Sequence, residues 1–324
     1  IFFLVSISFM SDFEAYNEWP LPLLPATHAA FTLEAAGEGA FRISILQRSG
    51  DRWQSLLETS DFTRMAEFVA RKANCNVSAE TLRAAATDVK ATGGPVQFKL
   101  SRRWLANYRM FFAVTQDAGA ALWRSIYTAL LTIVISLVIG GLAGYAFARY
   151  AFRGRNMLKV GVLFVRMFPG VSVAIPMVII LGRIGLYDNP IGLALVYAVG
   201  QIALTVWITA SIFLGIPVEL EEAAEVFGAT RAGTFWHITL PLAVPGLAAC
   251  AMYAFIMSWN ETIQAIVLTQ FNPTFPVVVY QSLVGAKGMV HLAAAGGVVM
   301  ALPAVVFTFL IRRYILRMWG GMGG

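Results

Sequence analysis

Five apolar runs, at about 122–148, 158–182, 191–215, 240–268 and 291–316, fill most of the C-terminal two thirds of this chain. Each reaches the roughly 17–25 residues that a helix needs to cross a bilayer core of about 30 Å. The sequence has 324 residues, of which 58% are hydrophobic and 13% charged, so a water-soluble core cannot hide that much apolar surface. Most of the chain must therefore meet lipid or other membrane-buried helices. Residues 1–10 are apolar too and read as the end of a further spanning helix. The expected count is six spans, the first one truncated.

Charge placement sets the expected orientation. Residues 11–118 hold twelve basic and twelve acidic residues, so the apolar part carries the whole formal charge of +6. Arg149, Arg153, Arg155 and Lys159 cluster after the first long run, and Arg312, Arg313 and Arg317 mark the end of the last. Basic residues favour the cytoplasmic side. Alternation then places 216–239 and the C-terminus in the cytoplasm, and 11–118, 183–190 and 269–290 outside. The same distribution argues against nucleic acid as a partner, because the charges flank spans and lack interleaved exposed aromatics.

The 11–118 segment reads as a small α+β domain on the external side, expected to dock or stabilise. Phe31-Thr32-Leu33-Glu34, Phe41-Arg42-Ile43-Ser44-Ile45 and Val96-Gln97-Phe98-Lys99-Leu100 alternate with period two, as half-buried strands do. Phe62, Met65, Phe68 and Val69 have helical spacing, with Ser60 or Asp61 as cap. Ser78 caps a second helix through about Lys90, which Gly93-Gly94-Pro95 ends.

The loop before the 240–268 run holds the densest functional pattern. Pro217 can start a helix whose positive N-terminal end suits Glu219, Glu221, Glu222 and Glu225. Ala223, Ala224 and Gly228 give a flat face for close approach by another protein, and Pro241 and Pro245 are expected to break or kink the entry to the next span. A plain structural loop is the alternative. No Gly-x-x-x-x-Gly-Lys-Ser/Thr loop occurs anywhere, so any ATP hydrolysis belongs to separate chains. The scattered His28, His237 and His291 give no catalytic set, and no metal site is expected. Gly140 and Gly144, four apart in a span, suit helix packing.

Ionisable residues within spans are functional candidates by default. Arg166 and Glu261 are such residues, and Glu261 lies deep in the 240–268 run after Trp259 and Asn260. With Gln201, these side chains can line a translocation path, Trp259 stacking on a sugar face. Interhelical hydrogen bonding, or an Arg166–Glu261 pair, is the competing reading.

The spacing Glu222-Ala223-Ala224, three residues, Gly228, nine residues, Ile238, one residue, Leu240-Pro241 resembles the signature of binding-protein-dependent ABC importer permeases. Further stretches resemble the carbohydrate permeases of the maltose G type: Leu105-Ala106-Asn107-Tyr108-Arg109, Ala146-Phe147-Ala148-Arg149, Met167-Phe168-Pro169, Gly185-Leu186-Tyr187-Asp188 and Trp259-Asn260-Glu261. Phe227 departs from the Asp often found before the glycine. The resemblance implies a type I importer permease fold, all-α apart from the inserted α+β domain, with five helices over 119–319 and a cytoplasmic tail at 320–324. It makes 218–232 the coupling helix that docks on an ATPase, through Glu221, Glu222, Ala223, Ala224, Gly228, Ile238, Leu240 and Pro241. It further implies a second permease of the F type, two ATPase copies that hold ATP and Mg, an external solute-binding protein touched by Pro273, Pro276 and Lys287, and a sugar or polyol cargo. A secondary transporter, or a membrane-anchored receptor working through 11–118, would lack the coupling loop.

Overall fold

The computed structural model describes residues 2–17, 26–37, 39–47, 52–115, 117–285 and 289–320, the side chains of 315–320 aside. Two compact units divide the chain: residues 1–117 with 279–299, and 118–278 with 300–324.

The first unit holds α1 (Phe2–Ser8), α2 (Asp12–Asn17), β1 (His28–Gly37), β2 (Ala40–Leu46), β3 (Trp53–Thr59), α3 (Phe62–Lys72), α4 (Ala79–Thr92), β4 (Val96–Ser101) and α5 (Ala106–Val114). The strands form one antiparallel sheet ordered β3-β2-β1-β4. Phe31 faces Ile45 and Leu33 faces Ile43 across the ladder, so alternation puts all four on one face. They pack there against Met65 and Val69 of α3 and Leu82 and Val89 of α4. Each such side chain contributes about 2 kcal/mol on burial. Asp61 caps α3 by accepting from the Thr63 and Arg64 amides, and Ser78 caps α4. Gly93 ends α4 at φ +66°. β3 breaks the period-two rule with adjacent Leu56 and Leu57, and the β2–β3 register shifts between Ile43 and Ser44. That bulge hides the strand from an alternation test. Polar links tie the opening helices to this domain. Glu14 and Arg102 form a buried ion pair, and Asn107 Nδ2 donates to the Ser8 and Met10 carbonyls at 2.8 and 2.7 Å.

The second unit begins with α6 (Ala118–Arg149), the bent pair α7 (Arg155–Val165) and α8 (Gly170–Arg183), and α9 (Pro190–Leu214). Then come α10 (Glu219–Val226), α11 (Arg231–Thr234), a π-helical turn Phe235–Thr239 and α12 (Leu240–Trp259). The short α13 (Ile263–Leu268) follows, and α14 (Phe275–Gly285) and α15 (Val290–Gly320), each divided between the two units, close the chain. Among the described residues, four helices suffice by length and composition to cross a membrane, Ala118–Arg149, Pro190–Leu214, Arg231–Trp259 and Val290–Tyr314, or five if α7 and α8 are one span.

Three expectations about the runs change. The 158–182 run bends by 88° between α7 and α8, where Pro169 has no amide donor and is itself extended at ψ 132°. The 240–268 run ends as a helix at Trp259, so Glu261 lies at a helix break and not deep in a span. The 269–290 stretch carries α14. Pro241 does not break its helix. The π turn moves the Leu240 amide onto the Phe235 carbonyl, absorbing the missing proline donor within a continuous rod.

α6 meets α9 at Gly140 and Gly144. A β-carbon at 140 would lie 2.7 Å from Thr205 Cγ2, and one at 144 would lie 2.8 Å from the Ala210 backbone nitrogen. Thr209 Oγ1 donates across the crossing to the Gly140 carbonyl at 3.0 Å. Backbone cannot step aside as a flexible side chain can, and overpacking typically costs about 1–3 kcal/mol. Gly144→Ala should therefore lower the detergent Tm by about 2–4 °C. Gly141→Ala, where a β-carbon meets nothing within 4 Å, should leave it unchanged. Equal melting of the two variants would remove close packing as the reason for glycine at 144.

Candidate functional site

The 219–234 loop is two short helices and a turn. Gly228 has φ +92°, a left-handed conformation in which a β-carbon is strained. The Ala229 amide donates back to the Ala224 carbonyl at 3.0 Å and the Gly228 amide to Glu225 at 3.0 Å, the two bonds of a Schellman stop. The three-residue gap between the alanines and the glycine is thus the length of that helix end. Thr230 then caps α11 by accepting from the Gly233 amide.

The four glutamates of α10 and its cap region do not share a fate. Glu221 is 7% exposed and turns inward. Arg149, the last residue of α6, approaches Glu221 Oε1 through both Nε and Nη2 at 2.8 Å, and the Tyr145 hydroxyl donates to Oε2 at 3.1 Å. Arg149 Nη2 also donates to the Ile216 carbonyl at 3.0 Å. The Tyr145 ring packs edge-on against Phe213 and Phe235, at 5.3 and 4.8 Å between centroids. Glu221 is therefore the tether of the loop to α6 and is not offered to a partner. Glu222 and Ala223 face outward, and Ala224 is half-buried. Val226 and Phe227 stand at the loop tip, 85% and 91% exposed. Pro241 is exposed, whereas Ile238 and Leu240 are half-buried against the chain.

Within the spanning unit the structure divides the expected path residues. Arg166, Gln201 and Glu261 come together around one recess of about 120 Å³, with Tyr197, Tyr253 and Gln264. Trp259 does not join them. It is 1% exposed, stacks on Phe255 at 5.5 Å and donates Nε1–H to the Met300 carbonyl at 2.9 Å, so it cannot stack on a sugar. Asn260 caps the end of α12, its Nδ2 donating to the Ile256 carbonyl. Arg166 and Glu261 form no ion pair. The Arg166 guanidinium lies over the Tyr253 ring at 5.6 Å, and Glu261 Oε1 accepts from the Gln264 amide at 3.1 Å. The Tyr197 hydroxyl donates to the Glu261 carbonyl at 3.1 Å, satisfying a backbone group freed by the helix break. Gln264 and Tyr253 were missed in the sequence. A polar residue three places after Glu261 in an apolar run was the available signal.

Of the residues expected to touch a binding protein, Pro276 is buried. Pro273 is half-buried and its carbonyl accepts from Arg124 Nε at 3.1 Å. Lys287 and residues 321–324 of the tail lie outside the described residues.

A chain of apolar spanning helices, interrupted by an outward two-helix loop tied to one span by a shielded ion pair, has the layout of a membrane permease. The family model for binding-protein-dependent transport system inner membrane components matches residues 136–319. The chain belongs to that family, whose members are multi-pass proteins of the inner membrane. It is 36% identical over 215 residues to the trehalose transport system permease protein SugB of Mycobacterium tuberculosis, covering 65% of this chain and 78% of that one. It is 31% identical over 236 residues to the trehalose/maltose transport system permease protein MalG of Thermococcus litoralis, covering 71% and 84%. Among solved structures, a bacterial alginate ABC transporter bound to a pentasaccharide-loaded periplasmic protein aligns at TM-score 0.54 and 15% identity, over 74% of this chain and 88% of that one. The methionine ABC transporter MetNI aligns at TM-score 0.52 and 18% identity, over 64% and 98%. These two likenesses show a shared ABC importer permease fold.

Proposed function

We propose that this chain is one of two permease subunits of an ABC importer for a sugar, oligosaccharide or polyol. It works beside a second, F-type permease, two ATPase copies that bind ATP and Mg, and an external solute-binding protein that delivers the cargo. The 219–234 loop and the C-terminus face the cytoplasm, and the sheet domain faces outside.

The observation that carries this reading is the exposed Val226–Phe227 tip on a loop held to α6 by Arg149 and Glu221. An exposed apolar tip in water calls for a partner, and an ion pair at its base passes movement of that partner into a spanning helix. ATP-driven closure of the ATPases would push the loop, and α6, packed on α9 without spare volume, would move with it. Glu222, Ala223 and Gly228 lie on the docking side. The likeness to the trehalose and maltose permeases supports the cargo class.

Co-purification tests the reading. The full chain, expressed with its partner permease and tagged, should retain an ABC ATPase in detergent and import sugar into liposomes only with ATP. Import without ATP, driven by an ion gradient, would establish a secondary transporter instead.

A further inference from the structure

Gln201 is 7% exposed, it borders the recess, and its Oε1 has no hydrogen-bond partner among the described residues. A bare amide oxygen inside a spanning unit is costly unless something donates to it. Around it the recess mixes both kinds of polar group. Arg166 and the Gln264 amide donate, while Glu261 retains acceptor capacity beyond the bond from the Gln264 backbone. A carboxylate ligand would set its lone pairs against Gln201 Oε1 and Glu261. An ammonium ligand would face the Arg166 guanidinium. A neutral polyhydroxyl edge, whose neighbouring hydroxyls donate and accept, answers every group at once.

We infer that this recess is a sugar-hydroxyl contact on the translocation path, in which Glu261 accepts from hydroxyls, Arg166 and Gln264 donate to them, and Gln201 turns its buried, unpartnered amide oxygen into the recess to accept as well. At about 120 Å³ it admits the edge of one ring and not an oligosaccharide. It is therefore a passing contact, with the rest of the cargo outside this subunit. The inference rests on the importer reading above.

The test uses the assembled transporter in proteoliposomes with its binding protein and 14C-labelled trehalose, maltose, arabinose, glucose and sorbitol, measuring import and ATP hydrolysis together. Wild-type protein that imports none of them would defeat the carbohydrate reading before the recess is probed. Given a transported sugar, Gln201→Met keeps the side-chain volume and removes the acceptor. Import should fall about tenfold, the scale of one lost hydrogen bond, while stimulated hydrolysis stays within about twofold. Glu261→Gln should keep most import and Glu261→Leu should fall with Gln201→Met. If Gln201→Met fails to assemble, Arg166→Met at its exposed position, which removes the donors, carries the same test with the same split. Wild-type import in these variants, or import and hydrolysis falling in step, would reduce the recess to packing and bound water and overturn the inference.

Discussion

The Gly228→Asp variant should reach the membrane at normal levels and retain its ATPase about tenfold less well, or worse. Two physical terms combine. A β-carbon at φ +92° costs roughly 1–2 kcal/mol and frays the Schellman end that aims Val226 and Phe227 outward. The carboxylate then brings a charge to a surface proposed to lose its water on docking. Within the chain itself a β-carbon at 228 meets nothing within 4 Å, so the subunit should fold and insert as usual. Gly228→Asn separates the two terms, since Asn tolerates the left-handed region and carries no charge. It should retain the ATPase within about threefold of wild type. ATPase retention on the purified permease, then stimulation of hydrolysis by the loaded binding protein, are the measurements. Wild-type values for Gly228→Asp would mean that this loop is not where the ATPase docks.

The legible parts of this chain are those whose signal is local. Asp61, Ser78 and Gly93 announce α3 and α4 because caps act within one turn. The apolar runs are equally plain, but hydropathy averages over a window and cannot see where a run bends. The turn at Pro169 and the stop after Trp259 both fall inside runs that look continuous. In the candidate site, spacing found the loop but not the direction of its glutamates. Glu219, Glu221, Glu222 and Glu225 look alike in sequence, and what singles out Glu221 is Arg149, 72 positions away. Trp259-Asn260-Glu261 reads as one polar unit, yet the helix end gives its members three different tasks: packing, capping and lining a recess. Only the fold brings Gln201 to Glu261.

Glu221→Leu should strip the importer of coupling more thoroughly than any change at the loop tip. In the wild type Arg149 and Glu221 side chains are each 10% exposed, so neither charge is well solvated once its partner is gone. Breaking such a pair from one side typically costs about 3–5 kcal/mol, because an uncompensated charge stays buried. The single variant should therefore lose both thermal stability and binding-protein-stimulated hydrolysis. Glu221→Gln, which keeps an acceptor for Tyr145 and Arg149, should lose less of each. The double variant Arg149→Leu with Glu221→Leu distinguishes stability from coupling. Removing both charges eliminates the unpaired guanidinium, so Tm should recover most of the loss. The link between α10 and α6 is still absent, and the Ile216 carbonyl still lacks its donor, so stimulated hydrolysis should stay low. Recovery of stability without recovery of coupling identifies the pair as the mechanical joint between the loop and the span. Recovery of both would show that the pair matters only for folding, and the force would then have to enter the membrane through α11 and the π-helical turn.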